Sequence, residues 1–294
     1  MLDLAVQARV DPTQTTRVVH LFDRDVIKRW RKVVSEIEKA IVEEDGFGYQ
    51  RRGGAWDIGT INARKFDFPR SDAKVQAFMR WLRKLQDEEV LEIQEGTPIE
   101  SAAASAWSNK YIQTSYQKGI ARSAAQMRKG GLKITDRWVH AAFFRPIHAD
   151  RVGLLYTRTF SDLAGITKTM DTRISRVLSL GIAEGRSPAA IAKQMRDEVR
   201  SIGVVRSRMI ARTEIIRAHS EATLNTYEEA GLEEVDVQAE FTTSGDNRVC
   251  PRCKALERKN PYSLKQARGL IPVHPNCRCA WIPIVENAAG VEFL

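Results

Sequence analysis

No run of eighteen apolar residues occurs anywhere in the sequence, so no membrane-spanning helix is expected. Met1 to Val10 carries Asp3 and lacks an apolar segment followed by a cleavage site, so no secretory signal is expected either. Cysteine is scarce: four residues, all between Cys250 and Cys279. That clustering speaks against a disulfide framework spread over the fold and for one local site. A glycine-rich phosphate loop and a nucleophile motif are both missing, which removes the commonest nucleotide and acyl-transfer chemistries. Neither an internal repeat nor a low-complexity tract is present.

What remains is ordinary globular material. A hydrophobic fraction of 43% and a charged fraction of 28% supply a core, and 294 residues suffice for one large domain or two modest ones. The net charge of +9 is unevenly laid out. Arg151 to Arg217 holds thirteen Lys/Arg against six Asp/Glu, whereas Ala218 to Asn247 holds eight acids and no Lys or Arg. From Arg248 to Arg278 the chain is basic again. Blocks of this kind suggest one face for an anionic partner and another that avoids it, although on composition alone a solvated surface of mixed charge is the better explanation.

The apolar periodicity is mostly helical. After an arm of about twenty residues, Val26, Ile27, Trp30, Val33, Val34, Ile37 and Ile41 recur at helical spacing up to Asp45-Gly46. Phe47 to Pro69 reads as an irregular excursion or hairpin. Ser71 is a candidate cap for a helix bearing Val75, Phe78, Met79, Leu82 and Leu85. Thr97-Pro98 predicts another start, running through Trp107, Tyr111 and Ile120 to Gly130-Gly131. Trp138, Phe143 and Phe144 look like a packed junction. A long helix is expected from His148 to Glu184, with Gly185 as its C-cap and Ser187-Pro188 opening the next. A further helix is expected after Gly203, ending near Gly231. Val235 to Phe241 and Ala280 to Val285 alternate as strands. The expected fold is mainly α: a helical N-terminal half, 1–145, and a helical C-terminal half, 146–286, ending in a small two-stranded metal-bound α+β unit. A tail, 287–294, follows.

The chemistry concentrates in Cys250-Pro-Arg-Cys253 and His274-Pro-Asn-Cys277-Arg-Cys279. A CxxC turn sets two thiolates on one side of a tight loop, the common half-site for tetrahedral zinc. The second segment offers three more donors, so four of Cys250, Cys253, His274, Cys277 and Cys279 are expected to bind: Cys250 and Cys253, with Cys279 and one of His274 or Cys277 completing the set. Pro251, Pro272 and Pro275 stiffen the loops that present them. A two-stranded unit buries little core, so the ion is expected to contribute folding energy and to be structural. A zinc-dependent enzyme acting on nucleic acid is the alternative. Its nearest carboxylates would be Asp246 and Glu257, yet the histidine follows the CxxC rather than preceding it with a glutamate, unlike the zinc deaminases. A second constellation, Ala211-Arg212-Thr213-Glu214 with Arg217, His219 and Asn225 further along the same helix, reads as a structural ion network of Arg212, Glu214 and Arg217 rather than as an acid/base site. His20, His140 and His148 receive no role.

Taken in order, Gly185-Arg-Ser-Pro188, Ala211-Arg-Thr-Glu214, Tyr227, Gly231, Asp246-Asn-Arg-Val-Cys-Pro-Arg-Cys253 and Pro272-Val-His-Pro-Asn-Cys-Arg-Cys279 resemble the phage Mu F-like minor head protein domain, also called the phage head morphogenesis domain. The resemblance covers roughly 150 to 286, with Phe241 where relatives often carry tryptophan. It implies a non-enzymatic minor capsid protein of a tailed phage, lying inside the head near the portal and passing through the host cytoplasm during assembly. It also implies a part in head assembly, DNA packaging or delivery. Some relatives carry a toxin or enzyme domain afterwards, and the few residues beyond Glu286 are not expected to hold one. The implied partners are the portal protein, the capsid interior and packaged double-stranded DNA bound non-specifically, with no membrane. Arg173, Arg176, Arg206 and Arg208 are candidate DNA-facing residues in the basic stretch, and Glu221 to Asp246 would face a protein neighbour. A host-side DNA-binding regulator is a third class, for which the sequence offers no recognition helix of known type.

Overall fold

The computed structural model describes residues 11–48, 65–231, 236–286 and 292–293. Its order is α1 (Thr16–Glu38), a π-helical turn (Lys39–Glu43), α2 (Ser71–Gln86), a second π turn (Asp87–Leu91), α3 (Ile99–Ser105), α4 (Asn109–Lys129), β1 (Lys133–Ile134) and α5 (Asp136–Ala142). There follow α6 (Pro146–Ala183), α7 (Pro188–Glu198), a third π turn (Val199–Val204), α8 (Val205–Gly231), β2 (Asp236–Thr242), α9 (Pro251–Glu257), α10 (Leu264–Ala267), β3 (Ala280–Glu286) and β4 (Glu292–Phe293). The fold is mainly helical, with a small antiparallel β2–β3 pair near the C-terminus, as expected. Two compact units form, and each draws on both halves of the chain: Met1–Asp23 with Ala103–Thr159 and Met209–Leu294, and Arg24–Ala102 with Phe160–Arg208.

Several boundaries differ from the sequence expectation, each for a local reason. Helix α1 opens inside the expected arm at Thr16, because the Asp11 carboxylate accepts from the Thr16 N–H at 3.0 Å. Ser71 is the first residue of α2, not its cap; Arg70 precedes it in extended conformation and makes no capping bond. The helix expected from Pro98 to Gly130 breaks at Ala106 to Ser108. There Asn109 Nδ2 donates to the carbonyls of Ala103 and Ala104, at 2.8 and 2.9 Å. Ser187 does cap α7, accepting from the Ala190 N–H, and Gly185 takes the left-handed conformation after α6. The excursion from Phe47 lies largely outside the described residues.

In the unit of 24–102 and 160–208, Trp30 is the anchor, 1% exposed. Its indole N–H donates to Ser207 Oγ at 2.9 Å. A Cβ on Gly203 would lie 2.7 Å from the indole ring, so a glycine is required at this close approach. That explains why Gly203 does not end a helix: the backbone widens into a π turn around the tryptophan and continues as α8. Asp171 accepts from Arg83 at 2.7 Å and from Gln86 at 3.0 Å, tying α2 to α6. Phe47, Phe66, Phe78 and Trp81 pack in tilted and edge-to-face pairs with centroids 5.2 to 5.8 Å apart.

In the other unit α4 lies against α8. Ser115 Oγ donates to the Ile215 carbonyl at 2.7 Å, and Tyr227 OH donates to Gln126 at 3.2 Å. Between them His219 is 1% exposed, its Nε2 has no hydrogen-bond partner, and burial lowers its pKa to about 3. The unfolded chain takes up this proton near pH 6.5 while the folded one refuses it, so stability falls as pH drops from about 6.5 toward 3. His219→Leu is expected to flatten that acid limb, read as urea midpoints across the pH range. An unchanged limb contradicts the assignment.

Candidate metal centre

The C-terminal pair positions the site. Strands β2 and β3 run antiparallel from Asp236↔Glu286 to Thr242↔Ala280. Phe241 and Trp281, opposite each other and buried, meet edge to face at 5.4 Å, so a phenylalanine serves at this position. Trp281 donates to Ser220 Oγ of α8 at 3.1 Å and packs on Tyr262 at 5.7 Å. Asn260 closes the intervening loop: its side chain accepts from the Phe241 N–H and donates to the Phe241 carbonyl, at 2.7 and 2.9 Å.

Cys250 is the N-cap of α9, where its sulfur accepts from the Cys253 N–H at 3.4 Å and Pro251 takes the first helical position. The CxxC therefore folds as a cap plus one helical turn, and both sulfurs emerge at that end. The second segment turns back tightly. The Cys277 N–H donates to the His274 carbonyl at 3.1 Å, and Asn276 takes the left-handed conformation that asparagine tolerates.

These turns bring five donors together. Cys250, Cys253 and His274 form one triad and Cys253, Cys277 and Cys279 another, each with donor atoms within 4.8 Å of one another. His274 Nε2 lies 3.3 Å from Cys250 Sγ and 3.4 Å from Cys253 Sγ. Metal bonds of 2.0–2.3 Å in a tetrahedron imply ligand separations of about 3.3–3.8 Å. His274 Nδ1 donates to the Pro275 carbonyl at 2.8 Å, which leaves the Nε2 lone pair facing the thiols. Cys253, Cys277 and Cys279 are buried and Cys250 is half-buried. The cluster could hold a metal ion, and its soft N/S donors fit zinc.

The electrostatics are those of thiols crowded together. The Cys279 hydrogen bond holds Cys277 down at about 5, while burial and the neighbouring Cys250 push Cys253 up to about 12. Cys279 rises, first through its bond to Cys277. Around the cluster, Arg278 grips Asp246 with two bonds of 2.6 Å, and Arg248 adds a third contact at 3.0 Å. Arg278, first, holds the Asp246 carboxyl well below the usual range. Glu257 accepts from the Thr243 N–H and hydroxyl, each at 2.9 Å. Both carboxylates nearest the cysteines in sequence are thus already engaged. The Asp246–Arg278 clamp joins the two donor segments.

Of the other residues singled out by sequence, Glu214 is buried between Arg158 at 3.2 Å and Arg217 at 3.3 Å. Arg212 lines a narrow cleft with Asp11, Thr13, Cys277 and Arg278 instead. Arg173, Arg176, Arg206 and Arg208 are all exposed. Arg173 and Arg176 share a face of α6 at i,i+3, whereas Arg206 and Arg208, two apart on α8, diverge around the helix. Within the acidic stretch, three of the described glutamates are ion-paired. Glu221 meets Arg151 and Arg268, Glu228 meets Arg268, and Glu229 meets Arg145 and His148. His148, given no role from sequence, is fully buried, with Nδ1 3.0 Å from Tyr116 OH. Asn225 donates to the same hydroxyl at 2.9 Å and accepts from Arg268 at 2.9 Å. Of its members sequence singles out only Asn225, since the others lie far apart along the chain.

No curated protein and no solved structure matches the chain. Residues 172–282, from within α6 into β3 and including every cysteine and His274, match the model of the family described as Phage Mu protein F like protein, and this stretch is similar to that family.

Proposed function

We propose that the chain is a minor structural protein of a tailed-phage head, acting at the portal during head assembly and DNA packaging or delivery. The family match over 172–282 carries this reading. Its site would be the head interior near the portal, after passage through the host cytoplasm. No described helix is long and apolar enough to cross a membrane. In this reading zinc is held by Cys250, Cys253, His274 and one of Cys277 or Cys279. The ion would cross-link the α9 turn to the HPNCRC turn. A non-enzymatic role is supported by the engagement of Asp246 with Arg278 and of Glu257 with Thr243, which leaves neither carboxylate poised as a base. The Arg212–Glu214–Arg217 stretch serves structure in the same reading, through the buried Glu214.

Packaged duplex DNA is the proposed anionic partner, met by Arg173, Arg176, Arg206 and Arg208. Each phosphate contact contributes about 0.9 to the slope of log K against log salt. Arg173→Ala with Arg176→Ala is expected to lower that slope by about 2, with no change of base preference. A wild-type chain without DNA affinity at low salt removes this part of the reading.

Quantitative mass spectrometry of proheads and DNA-filled particles from the phage encoding the chain tests the whole. The expected result is the chain in both, at few copies beside the portal protein. Its absence from both overturns the proposal.

A further inference from the structure

A trough of about 320 Å³ lies between α9 and the loop from Gly269 to Val273. Its lining is mostly apolar: Ala255, Leu256, Leu270, Pro272 and Val273, with Arg252 and Lys259 flanking them. The surroundings are strongly one-sided in charge. Between Pro251 and Cys279 there are seven Lys/Arg and one acid, Glu257. Glu257 is occupied by Thr243, Arg268 by Glu221 and Glu228, and Arg278 by Asp246. Arg252, Lys254, Arg258, Lys259 and Lys265 remain exposed and have no ion-pair partner among the described residues.

The walls are held from behind. Tyr262 OH donates to the Leu256 carbonyl at 2.7 Å, and the Ser263–Gln266 capping box orders the start of α10. A trough with fixed walls loses little entropy on binding. We propose that it is a docking site for an acidic peptide segment of another protein, one that inserts apolar side chains between Leu256 and Leu270 while its carboxylates meet Arg252 and Lys259. Duplex DNA fits less well, because a phosphate backbone gains nothing from a floor of leucine, proline and valine. Unpaired cations around an apolar floor select a partner carrying both features, and charge complementarity also speeds encounter. Two of its lining residues, Arg252 and Val273, adjoin the donors Cys253 and His274 in the chain, and the site does not require the head-protein reading.

The test uses the full chain, a fluorescein-labelled peptide alternating glutamate with leucine, an all-glutamate peptide of equal length, and a 20-base-pair duplex. The Glu/Leu peptide is expected to bind at least tenfold more tightly than the other two. Arg252→Glu with Lys259→Glu should reduce its affinity at least tenfold. Ala255→Trp, a change at an exposed position that fills the trough, should do likewise, with circular dichroism unchanged for both variants. Equal binding of all three probes, insensitivity to Ala255→Trp, or no binding of the Glu/Leu peptide at low salt would each overturn the proposal.

Discussion

Cys253→Ser is expected to abolish metal binding by the full chain and to cost more than about 4 kcal/mol of stability, the range reserved for losing a metal or breaking a buried network. Cys253 is the residue shared by both donor triads, so every set of four ligands that keeps either triad whole includes it. Behind the cluster the C-terminal pair has a small core that includes Val237, Phe241, Tyr262, Ile271 and Trp281, and the ion would add to what holds α9 and the HPNCRC turn in register. Cys277→Ser and Cys279→Ser should differ: the true ligand behaves like Cys253→Ser, and the spare thiol keeps the metal. Zinc content by mass spectrometry and thermal melts read both quantities. Chelation of the wild type should melt the same unit. Full zinc retention in Cys253→Ser, or chelation that leaves the melt unmoved, contradicts a structural metal.

The second large effect is expected at Gly119. A Cβ there would lie 2.6 Å from Ala222 Cβ and 2.7 Å from the His219 carbonyl oxygen, both on α8. One of those obstacles is backbone and cannot swing aside, so Gly119→Val must push α4 away from α8. The Ser115–Ile215 bond would go with it. Overpacking of this kind costs up to about 3 kcal/mol, occasionally more, which corresponds to roughly 10 °C in melting temperature. Gly153→Ala on α6 is the matched control. Nothing lies within 4 Å of its Cβ position, so a neutral or slightly stabilising change is expected from helix propensity. Equal behaviour of the two variants would show that the helix contact is not as close as described.

These contrasts show what the sequence could and could not reveal. The long helices, the Gly185 and Ser187-Pro188 punctuation and the two strands were legible because local periodicity and capping chemistry decide them. The π turn at Gly203 was not, because it exists to admit Trp30, a residue far away in the chain. Nor was the break before Asn109, since asparagine there caps carbonyls that a helical pattern would have satisfied. The donor residues were legible from spacing alone. Their geometry was not: Cys250 as a helix cap and His274 turned by Pro275 depend on backbone conformation. Charge patterning was the least informative, because the arginines from elsewhere in the fold that engage Glu221, Glu228 and Glu229 leave no trace in it.

Complementation tests the central claim most directly. Phage particles assembled without this chain would be counted as DNA-filled, infectious heads, with wild-type or Cys253→Ser protein supplied in trans. The account predicts a steep fall without the chain, recovery with the wild type and no recovery with Cys253→Ser. Normal yields of filled, infectious heads in the absence of the chain would contradict it.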